Sequence, residues 1–163
     1  MSAVTEYLAK RGIPFGSILH DRAYTSIGEA RALGIGADGV AKTILVDLES
    51  GHAAVVVPAS RRVDIHLVKH ATGDRHARLA SEGEIERDFK GFELGSLPPI
   101  PSLLGIPVLV DPEVLTHETV VFAAGRQTES VQVRTDRLFE GELFTTTPLS
   151  RHPEEEFVGI GIA

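Results

Sequence analysis

The sequence predicts an α+β fold in which helices pack around one mixed, mainly antiparallel sheet. β-branched segments come in pairs with short turns between them, and helical patterns lie between the pairs rather than after every strand. The central segment AAVVVP is apolar on both faces, which favours a partly closed sheet. With 163 residues, 42% of them hydrophobic, the chain can bury a core of its own. We therefore assign residues 1–163 to a single domain.

The N-terminal part of the chain predicts two helices with a strand between them. An amphipathic pattern over residues 4–11 indicates a helix that ends at Gly12. Residues 17–20 are a short candidate strand. Ser26 is the expected N-cap of the second helix, because Glu29 follows three residues later, as in a capping box. A glycine-rich loop then leads into the centre of the chain.

The centre of the chain predicts a hairpin followed by a helix. Residues 42–48 and 53–58 are rich in β-branched side chains, and Glu49-Ser50-Gly51 between them is typical of a turn. Asp64 is a good N-cap for a helix over residues 65–72. The strand at 53–58 is expected to be central in the sheet, since both of its faces are apolar.

The second half of the chain combines a rigid stretch with further short elements. Residues 91–107 are rich in glycine and proline, but their many apolar side chains argue against disorder. The tail from about residue 140 to residue 163 contains three consecutive glutamates and is expected to be loosely held. The other expected elements are helices at 82–89 and 135–139, strands at 107–110, 119–124 and 130–134, and a turn at 111–115.

Charge and cysteine content exclude several classes of protein. The chain has no cysteine, which excludes disulfide frameworks, thiolate zinc sites, iron–sulfur clusters and cysteine nucleophiles. Its net charge of −7 argues against a broad basic surface for nucleic acid, so such a partner would have to meet a pocket or a small basic cluster. The sequence has no signal-peptide pattern and no apolar run of membrane-spanning length. We expect a cytoplasmic protein without a membrane partner.

Lys42 is the first candidate for chemistry. It opens an apolar strand after a glycine loop, where a lysine can lie in a cleft and bind a phosphate or a developing oxyanion. The alternative is a solvated lysine at the end of a strand. Arg61 and Arg62 form a basic pair at the end of the next strand, and Arg126 lies in the last hairpin turn. For these arginines the ordinary alternative is surface charge.

The segment Gly95-Ser96-Leu97-Pro98-Pro99 is the second candidate. A glycine lets the backbone approach a ligand closely, and prolines fix the path of a loop, so its N–H groups could orient a carbonyl or a ribose hydroxyl. The alternative is a rigid connector that covers the core. His66 and His70 have the spacing of metal ligands on a helix, but the apolar arc turns both toward solvent, so we predict neither a metal nor another cofactor.

An ordered set of segments resembles the YbaK/EbsC family, also called the prolyl-tRNA synthetase-associated editing domain. The resemblance extends over about residues 20–138, and the AKT strand and the PASRRVD segment are its most specific parts. The matching segments are Tyr24-Thr25, VAKTILV at 40–46, AVVVPASRRVD at 54–64, GSLPP at 95–99, PVLVD at 107–111 and ETVVFAAG at 118–125.

The resemblance implies a YbaK-like fold and an aminoacyl-tRNA deacylase that acts in trans. The expected partner is the CCA end of a mischarged tRNA, with a synthetase as a further candidate, and the amino acid removed is proline, alanine or cysteine. Lys42 and Gly95 take the places of the residues needed for activity. The other residues expected to bind substrate are Tyr24, Thr43, Arg61, Arg62, Ser96, Leu97, Pro98, Pro99 and Gly125.

The chemistry implied by the resemblance needs no protein nucleophile. An aminoacyl ester is already activated, so a positioned water or a neighbouring ribose hydroxyl can attack it. This agrees with the absence of cysteine and of a Gly-x-Ser-x-Gly elbow. The alternative hypothesis is a non-catalytic module of the same fold that binds tRNA, a nucleotide or a protein and regulates its partner.

Overall fold

The computed structural model describes residues 2–153, which form six helices and ten strands. The helices are α1 (Ala3–Lys10), α2 (Ser26–Leu33), α3 (Ile65–Thr72), α4 (Glu82–Asp88), α5 (Pro101–Leu104) and α6 (Thr135–Phe139), with 3-10 turns at Ala37–Gly39 and Pro112–Thr116. The strands are β1 (Phe15–Leu19), β2 (Ala41–Leu48), β3 (Gly51–Pro58), β4 (Arg62–Val63), β5 (Arg78–Leu79), β6 (Val108–Val110), β7 (Thr119–Arg126), β8 (Glu129–Arg134), β9 (Thr145–Thr146) and β10 (Ser150–Arg151).

The strands form two main sheets and one small one. The larger sheet has the order β5-β2-β3-β6-β9, with antiparallel pairs around β2 and parallel pairs of β6 with β3 and β9. The other main sheet is β1-β8-β7 and is wholly antiparallel, and β4 pairs with β10. The α+β class with mixed, mainly antiparallel pairing is confirmed. The expected partial closure is not found: over residues 2–153 the two main sheets stay separate and are joined by a single parallel bridge, Val40 to Val121.

The hairpin of β2 and β3 is the centre of the fold, as predicted. Its register runs from Ala41 opposite Pro58 to Leu48 opposite Gly51. The middle of β3 is fully buried, because it lies between β2 and β6 and is covered on both faces. On one face Val56 packs in the main core with Phe122 of β7, and on the other Val55 packs with Val68 of α3.

Helix ends follow local signals, with one difference from the prediction. Asp64 caps α3 by accepting hydrogen bonds from the N–H groups of the first turn, as expected. The N-cap of α2, however, is Thr25 and not Ser26, since the Thr25 hydroxyl accepts from the N–H of Gly28 at 3.0 Å. Glu29 makes no capping box because its carboxylate is buried and bonded to Ser130.

The chain beyond residue 140 is built into the sheets as far as it is described. β9 adds to the edge of β6, β10 pairs with β4, and Leu149 between them is fully buried. Asp111 accepts hydrogen bonds from the Leu149 N–H at 2.9 Å and the Ser150 hydroxyl at 2.8 Å. The expectation of a loosely held tail is therefore wrong for residues 140–151. The glutamate run at 154–156 lies outside the described residues, and the single domain over 1–163 stays a prediction.

None of the helices within residues 2–153 has the length and apolar character that a membrane crossing requires.

Candidate active site

A cleft of about 250 Å³ lies where the start of α2, the first half of β2 and the loop before α5 come together. β2 pairs with β5 only at Val46 and Asp47, so its first half has an open edge on the side away from β3. That edge forms one wall of the cleft. The lining residues are Tyr24, Thr25, Ser26, Ile27, Lys42, Thr43, Ile44 and Gly95.

Lys42 is half-buried in this cleft and lies opposite Val57 of β3. Burial lowers the pKa of its amine below the ordinary value, and the positive charge of Arg62 lowers it further. No carboxylate of residues 2–153 forms an ion pair with Lys42. The cleft therefore carries a partly desolvated cation that an anionic group could neutralise.

Thr43 contributes a polar group to the same wall. Its side chain is 9% exposed, and its hydroxyl oxygen has no hydrogen-bond partner among the described residues. A buried hydroxyl without a partner costs free energy, commonly about 1–3 kcal/mol. The oxygen itself is enclosed in this structure, so a ligand in the cleft could supply the missing hydrogen bond once the side chain turns toward it.

Gly95 is required on the opposite wall for two independent reasons. Its φ of +77° lies in the left-handed region that side chains disfavour. A Cβ at this position would also overlap the backbone carbonyl oxygen of Tyr24. The absence of a side chain therefore lets the Gly95 loop pack directly against the Tyr24 backbone, which brings two backbone segments to one side of the cleft.

Gln127, in the turn between β7 and β8, ties the two backbone segments of this wall together. Its amide nitrogen donates to the carbonyl of Leu94 at 2.9 Å, and its amide oxygen accepts from Arg22 at 2.7 Å. Its backbone carbonyl accepts from the N–H of Ala23 at 2.8 Å. Gln127 is 9% exposed, so these hydrogen bonds form in a largely dry environment. One side chain thus fixes the Gly95 loop and the Tyr24 segment relative to each other.

The structure brings four of the residues predicted for the site into the cleft and leaves the others outside its lining. Lys42, Thr43, Tyr24 and Gly95 line it together. The segment from Ser96 to Pro99 is buried and does not line it, and the Ser96 hydroxyl donates to the carbonyl of Glu93 at 2.6 Å.

The predicted arginines and Gly125 also lie outside the lining. Arg61 approaches Glu113 at 3.8 Å, and Arg62 acts on Lys42 through its charge. Gly125 lies in the bulge of β7 with a φ of +86°, where its carbonyl accepts from the N–H of Glu93 at 3.0 Å. Through this hydrogen bond Gly125 supports the loop that carries Gly95, and it does not itself line the cleft.

Sequence reasoning missed Gln127, which has no spacing or motif of its own. Its importance comes from tertiary contacts with two loops that are far from it in the chain. A polar residue in a hairpin turn, two positions after the glycine of the bulge, gives no signal that distinguishes it from an exposed turn residue. Ile27 was also missed, because its position on the first turn of α2 identifies it only once the packing of α2 is known.

No group in the cleft lining is a carboxylate, histidine or cysteine, so the cleft has none of the usual metal ligands. Elsewhere, Asp47, His52 and Glu84 place ligand-type atoms within 4.8 Å of one another. Both ring nitrogens of His52 are already bonded to carboxylates, to Asp47 at 2.5 Å and to Asp88 at 2.7 Å. This cluster is accounted for as an ion-pair network between the hairpin and α4.

Two larger cavities of about 460 Å³ lie away from this cleft. One is bordered by the end of β8 and α6, and the other by α5 and the segment around Glu142. Neither contains Lys42 or Gly95, and both are more open to solvent than the cleft. The smaller cleft therefore remains the better candidate, because it combines a desolvated cation, an unpartnered hydroxyl and a glycine that must stay small.

Residues 20–140 match the model of the aminoacyl-tRNA editing domain. The chain belongs to the aminoacyl-tRNA editing domain family. The YbaK-like resemblance predicted from the sequence is thereby confirmed. All of the residues that line the cleft of this editing domain fall within the matched range.

Solved structures agree with the family assignment. The crystal structure of hypothetical protein APE2540 is 26% identical, with a TM-score of 0.80 over 91% of this chain and 99% of the other. A "putative trans-editing enzyme for prolyl tRNA synthetase" is 21% identical, with a TM-score of 0.77 over 91% of this chain and 94% of the other. At that identity the second likeness shows a shared fold. No curated protein matches the sequence significantly.

Proposed function

We propose that this editing domain is a trans-acting deacylase that hydrolyses the ester between a wrong amino acid and the 3′ end of tRNA. The observation that carries the proposal is the meeting of Lys42 and Gly95, which are distant in sequence, at one cleft. The family match supports an editing role, and it says nothing of which residues act.

In this proposal Lys42 anchors the nucleotide end of the substrate. Its amine is partly desolvated and is repelled by the charge of Arg62. A phosphate of the CCA end would be attracted by both cations and would relieve their repulsion. The same attraction in a partly dry cleft is stronger than it would be on an open surface.

The opposite wall would orient the ester. Gly95 keeps its backbone accessible, since no side chain covers it, and its N–H could hold the ester carbonyl or a ribose hydroxyl. The unpartnered hydroxyl of Thr43, once its side chain turns toward the cleft, would bond a second polar group of the substrate. Such positioning is the main contribution that a site without a nucleophile can make.

The reaction itself is a simple ester hydrolysis. A water oxygen attacks the carbonyl carbon, and the bond from that carbon to the ribose oxygen breaks; attack by the neighbouring ribose hydroxyl would only move the aminoacyl group to that oxygen, so water must still complete its release. The ribose oxygen takes up a proton and the amino acid leaves as its carboxylic acid when water is the attacking group. No cofactor enters this balance.

The size of the cleft limits the substrate. A volume of about 250 Å³ is below the roughly 300–1,000 Å³ of pockets for drug-sized ligands. The cleft would therefore admit the aminoacyl end of the tRNA and favour small side chains such as those of alanine, proline and cysteine. Exclusion by size is needed because one methylene is worth only about 1–3 kcal/mol in direct binding.

The experiment is release of amino acid from tRNAs mischarged with alanine, cysteine or proline. Wild type should deacylate at least one member of this set, and Lys42→Met should lose nearly all of that activity. Lys10→Met, at an exposed lysine of α1, is the matched control and should behave as wild type. Saturable tRNA binding without any ester cleavage would overturn the proposal and favour the non-catalytic module. Equal cleavage by Lys42→Met and wild type would refute the role of Lys42.

A further inference from the structure

The hydroxyl of Ser130, on β8, joins the two ends of the segment that forms one wall of the cleft. His20 lies just before this segment, and its Nε2 is 2.8 Å from the Ser130 oxygen. Glu29 lies just after it, on α2, and its carboxyl group bonds the same oxygen. Between these two anchors the chain runs through Tyr24 and Ile27, which line the cleft.

The contacts around Ser130 restrict where protons can be. His20 Nδ1 faces the backbone carbonyl of Asp21 at 2.7 Å, so Nδ1 must carry a hydrogen to bond it. Ser130 is fully buried and Glu29 is 3% exposed, whereas His20 is half-buried and in contact with solvent. Protons can therefore reach the chain of hydrogen bonds through His20.

Two arrangements complete both hydrogen bonds at Ser130, and both contain the same number of protons. In one, a protonated Glu29 donates to Ser130 and the Ser130 hydroxyl donates to a neutral His20. In the other, a protonated His20 donates to Ser130 and the Ser130 hydroxyl donates to ionised Glu29. If the shared proton is lost, ionised Glu29 and neutral His20 both need a donor. Ser130 has one hydrogen and can serve only one of them.

We propose that Ser130, with Glu29 and His20, is a proton-dependent positioning device that holds the cleft wall of residues 21–28 in place. With the shared proton both ends of the wall are fastened to β8. Without it one of these two hydrogen bonds is lost, and the wall loosens because at the His20 end it is then held only by backbone bonds, such as that of the His20 N–H to the Thr128 carbonyl at 2.9 Å. For the deacylase activity this inference rests on the proposed function; the anchoring of the wall does not.

The other charged groups near this device are either paired elsewhere or exposed to solvent. Glu129, next to Ser130 on β8, accepts from the Ser17 hydroxyl of β1 at 3.0 Å. Arg22, on the wall, pairs with Glu93 at 3.1 Å. The remaining charged groups on the packed elements are Asp21 on the wall, Arg31 on α2, Arg126 on β7 and Arg134 on β8, all of them exposed. Burial raises the pKa of Glu29, while the Ser130 hydrogen bond and the charge of His20 act in the opposite direction.

The first measurement is hydrogen exchange of the amides in residues 21–28, expressed as protection factors from about pH 5 to about pH 9, the range in which buried carboxyl groups and histidines titrate. In wild type the protection should fall by about three- to tenfold as the shared proton is lost, as expected for one hydrogen bond. Ser130→Ala should have the low value at every pH. Ser17→Ala removes a serine–glutamate hydrogen bond on the same sheet and should match wild type.

Glu29→Gln gives the sharper test, because a glutamine amide donates to Ser130 without a titrating proton. Ser130 can then donate to neutral His20, and the wall should stay protected at alkaline pH. Protection that falls equally in wild type and Glu29→Gln would overturn the proposal, as would a Ser130→Ala variant with wild-type protection.

Kinetics form a separate arm. If the chain is a deacylase, KM of wild type should rise over the same pH range in which protection falls, and KM of Glu29→Gln should not. A chain with no deacylase activity would refute the proposed function but leave the exchange result to decide the positioning role.

Discussion

At the scale of single residues, Lys42 and Gly95 each reduce the stability of the fold, and this loss of stability suggests that both serve a role in the cleft. Lys42 keeps a charge in a half-buried place beside another cation. Gly95 adopts a backbone conformation that reduces the choice of residue to one. Such local conflicts are expected where function, rather than stability, determines the residue.

Lys42→Met should raise the melting temperature while it abolishes deacylation. The lowered pKa means that the native state binds the Lys42 proton less strongly than the unfolded state does. The charged amine therefore destabilises the native state at neutral pH, and this penalty fades as pH rises through the folded pKa. Methionine keeps the apolar stem without the charge. Melting curves at pH 7 decide the point, and a variant that melts below both wild type and Lys10→Met would contradict it.

Gly95→Ala should destabilise the fold more than a glycine substitution with strain alone. Gly73, at the end of α3, has a φ of +71° but open space around its Cα, so Gly73→Ala carries only the conformational cost of about 1 kcal/mol. Gly95→Ala adds the overlap with the Tyr24 carbonyl. Urea unfolding should give it the larger loss of free energy, and its deacylation should fall by at least about tenfold. Equal losses of unfolding free energy in Gly95→Ala and Gly73→Ala would contradict this prediction, because the overlap with the Tyr24 carbonyl would then cost no stability.

The residues in the cleft were partly predictable from the sequence. Lys42 and Gly95 stand in recognisable segments, and the sequence around each is local enough to interpret. Gln127 and Ser130 act on loops that are distant in the chain, so nothing near them in the sequence distinguishes them. Their roles follow from β7 and β8 lying beside the segment that leads into α2.

At the scale of elements, the turn between β7 and β8 supports both sides of one cleft wall. Gln127→Ala should therefore impair activity without unfolding the chain, because it loses the bonds to Leu94 and Arg22. A small shift of a positioned group can lower turnover by up to about 100-fold. Gln132→Ala, on the exposed face of β8, removes a comparable side-chain hydrogen bond to Thr119 and should leave the deacylation rate unchanged. Deacylation rates measured beside melting temperatures test this, and equal rates in the two variants would contradict it.

The hairpin of β2 and β3 is joined to α4 by a pH-sensitive contact. Hydrogen bonds from His52 to Asp88 and Asp47 raise the pKa of His52 despite its burial. Because the folded pKa is above the unfolded value of about 6.5, the stabilisation is complete below that pH and is lost as pH rises through the folded pKa. The free energy of unfolding of wild type should thus fall over this range relative to His52→Gln. His66→Gln, at an exposed histidine of α3, should follow wild type; a parallel curve for His52→Gln would refute the contact.

Elements with strong local signals were predicted well from the sequence. The caps of α3, the turn of the central hairpin and the glycines after α1, α2 and α3 are encoded within a few residues. The two-residue strands β4, β5, β9 and β10 were not predicted, since pairs so short form only where a neighbouring strand edge is already in place. The parallel pairing of β3 with β6 was also missed. It joins segments that are separated by three helices, so no local pattern indicates it.

At the scale of the whole molecule, a small group of basic residues beside the cleft contrasts with a negative net charge. The net charge is −7, yet Lys42, Arg61 and Arg62 cluster at the start of β2 and the end of β3. A tRNA would therefore be attracted at this point despite the negative net charge, which favours contact through its single-stranded end.

The salt dependence of tRNA binding should accordingly be shallow. With at most three phosphates neutralised, the slope of log K against log salt concentration should be about −2, from about −0.7 per phosphate on a single strand. Raising the salt fourfold should then weaken binding by roughly 16-fold, far less than for proteins with a broad basic surface. Titrations of mischarged tRNA at several salt concentrations measure the slope. A slope steeper than about −5 would indicate that the duplex stem is also held.

The strands after residue 140 determine where this protein can be truncated. The family match ends at residue 140, which invites truncation there. β9 and β10 come after that point and occupy the edges of β6 and β4. A chain truncated at residue 140 would expose unpaired strand edges and would leave a cavity in the core at the position of Leu149. Unpaired edges of this kind bind other chains by strand addition. The excised fragment would be a seed for self-association rather than a minimal enzyme.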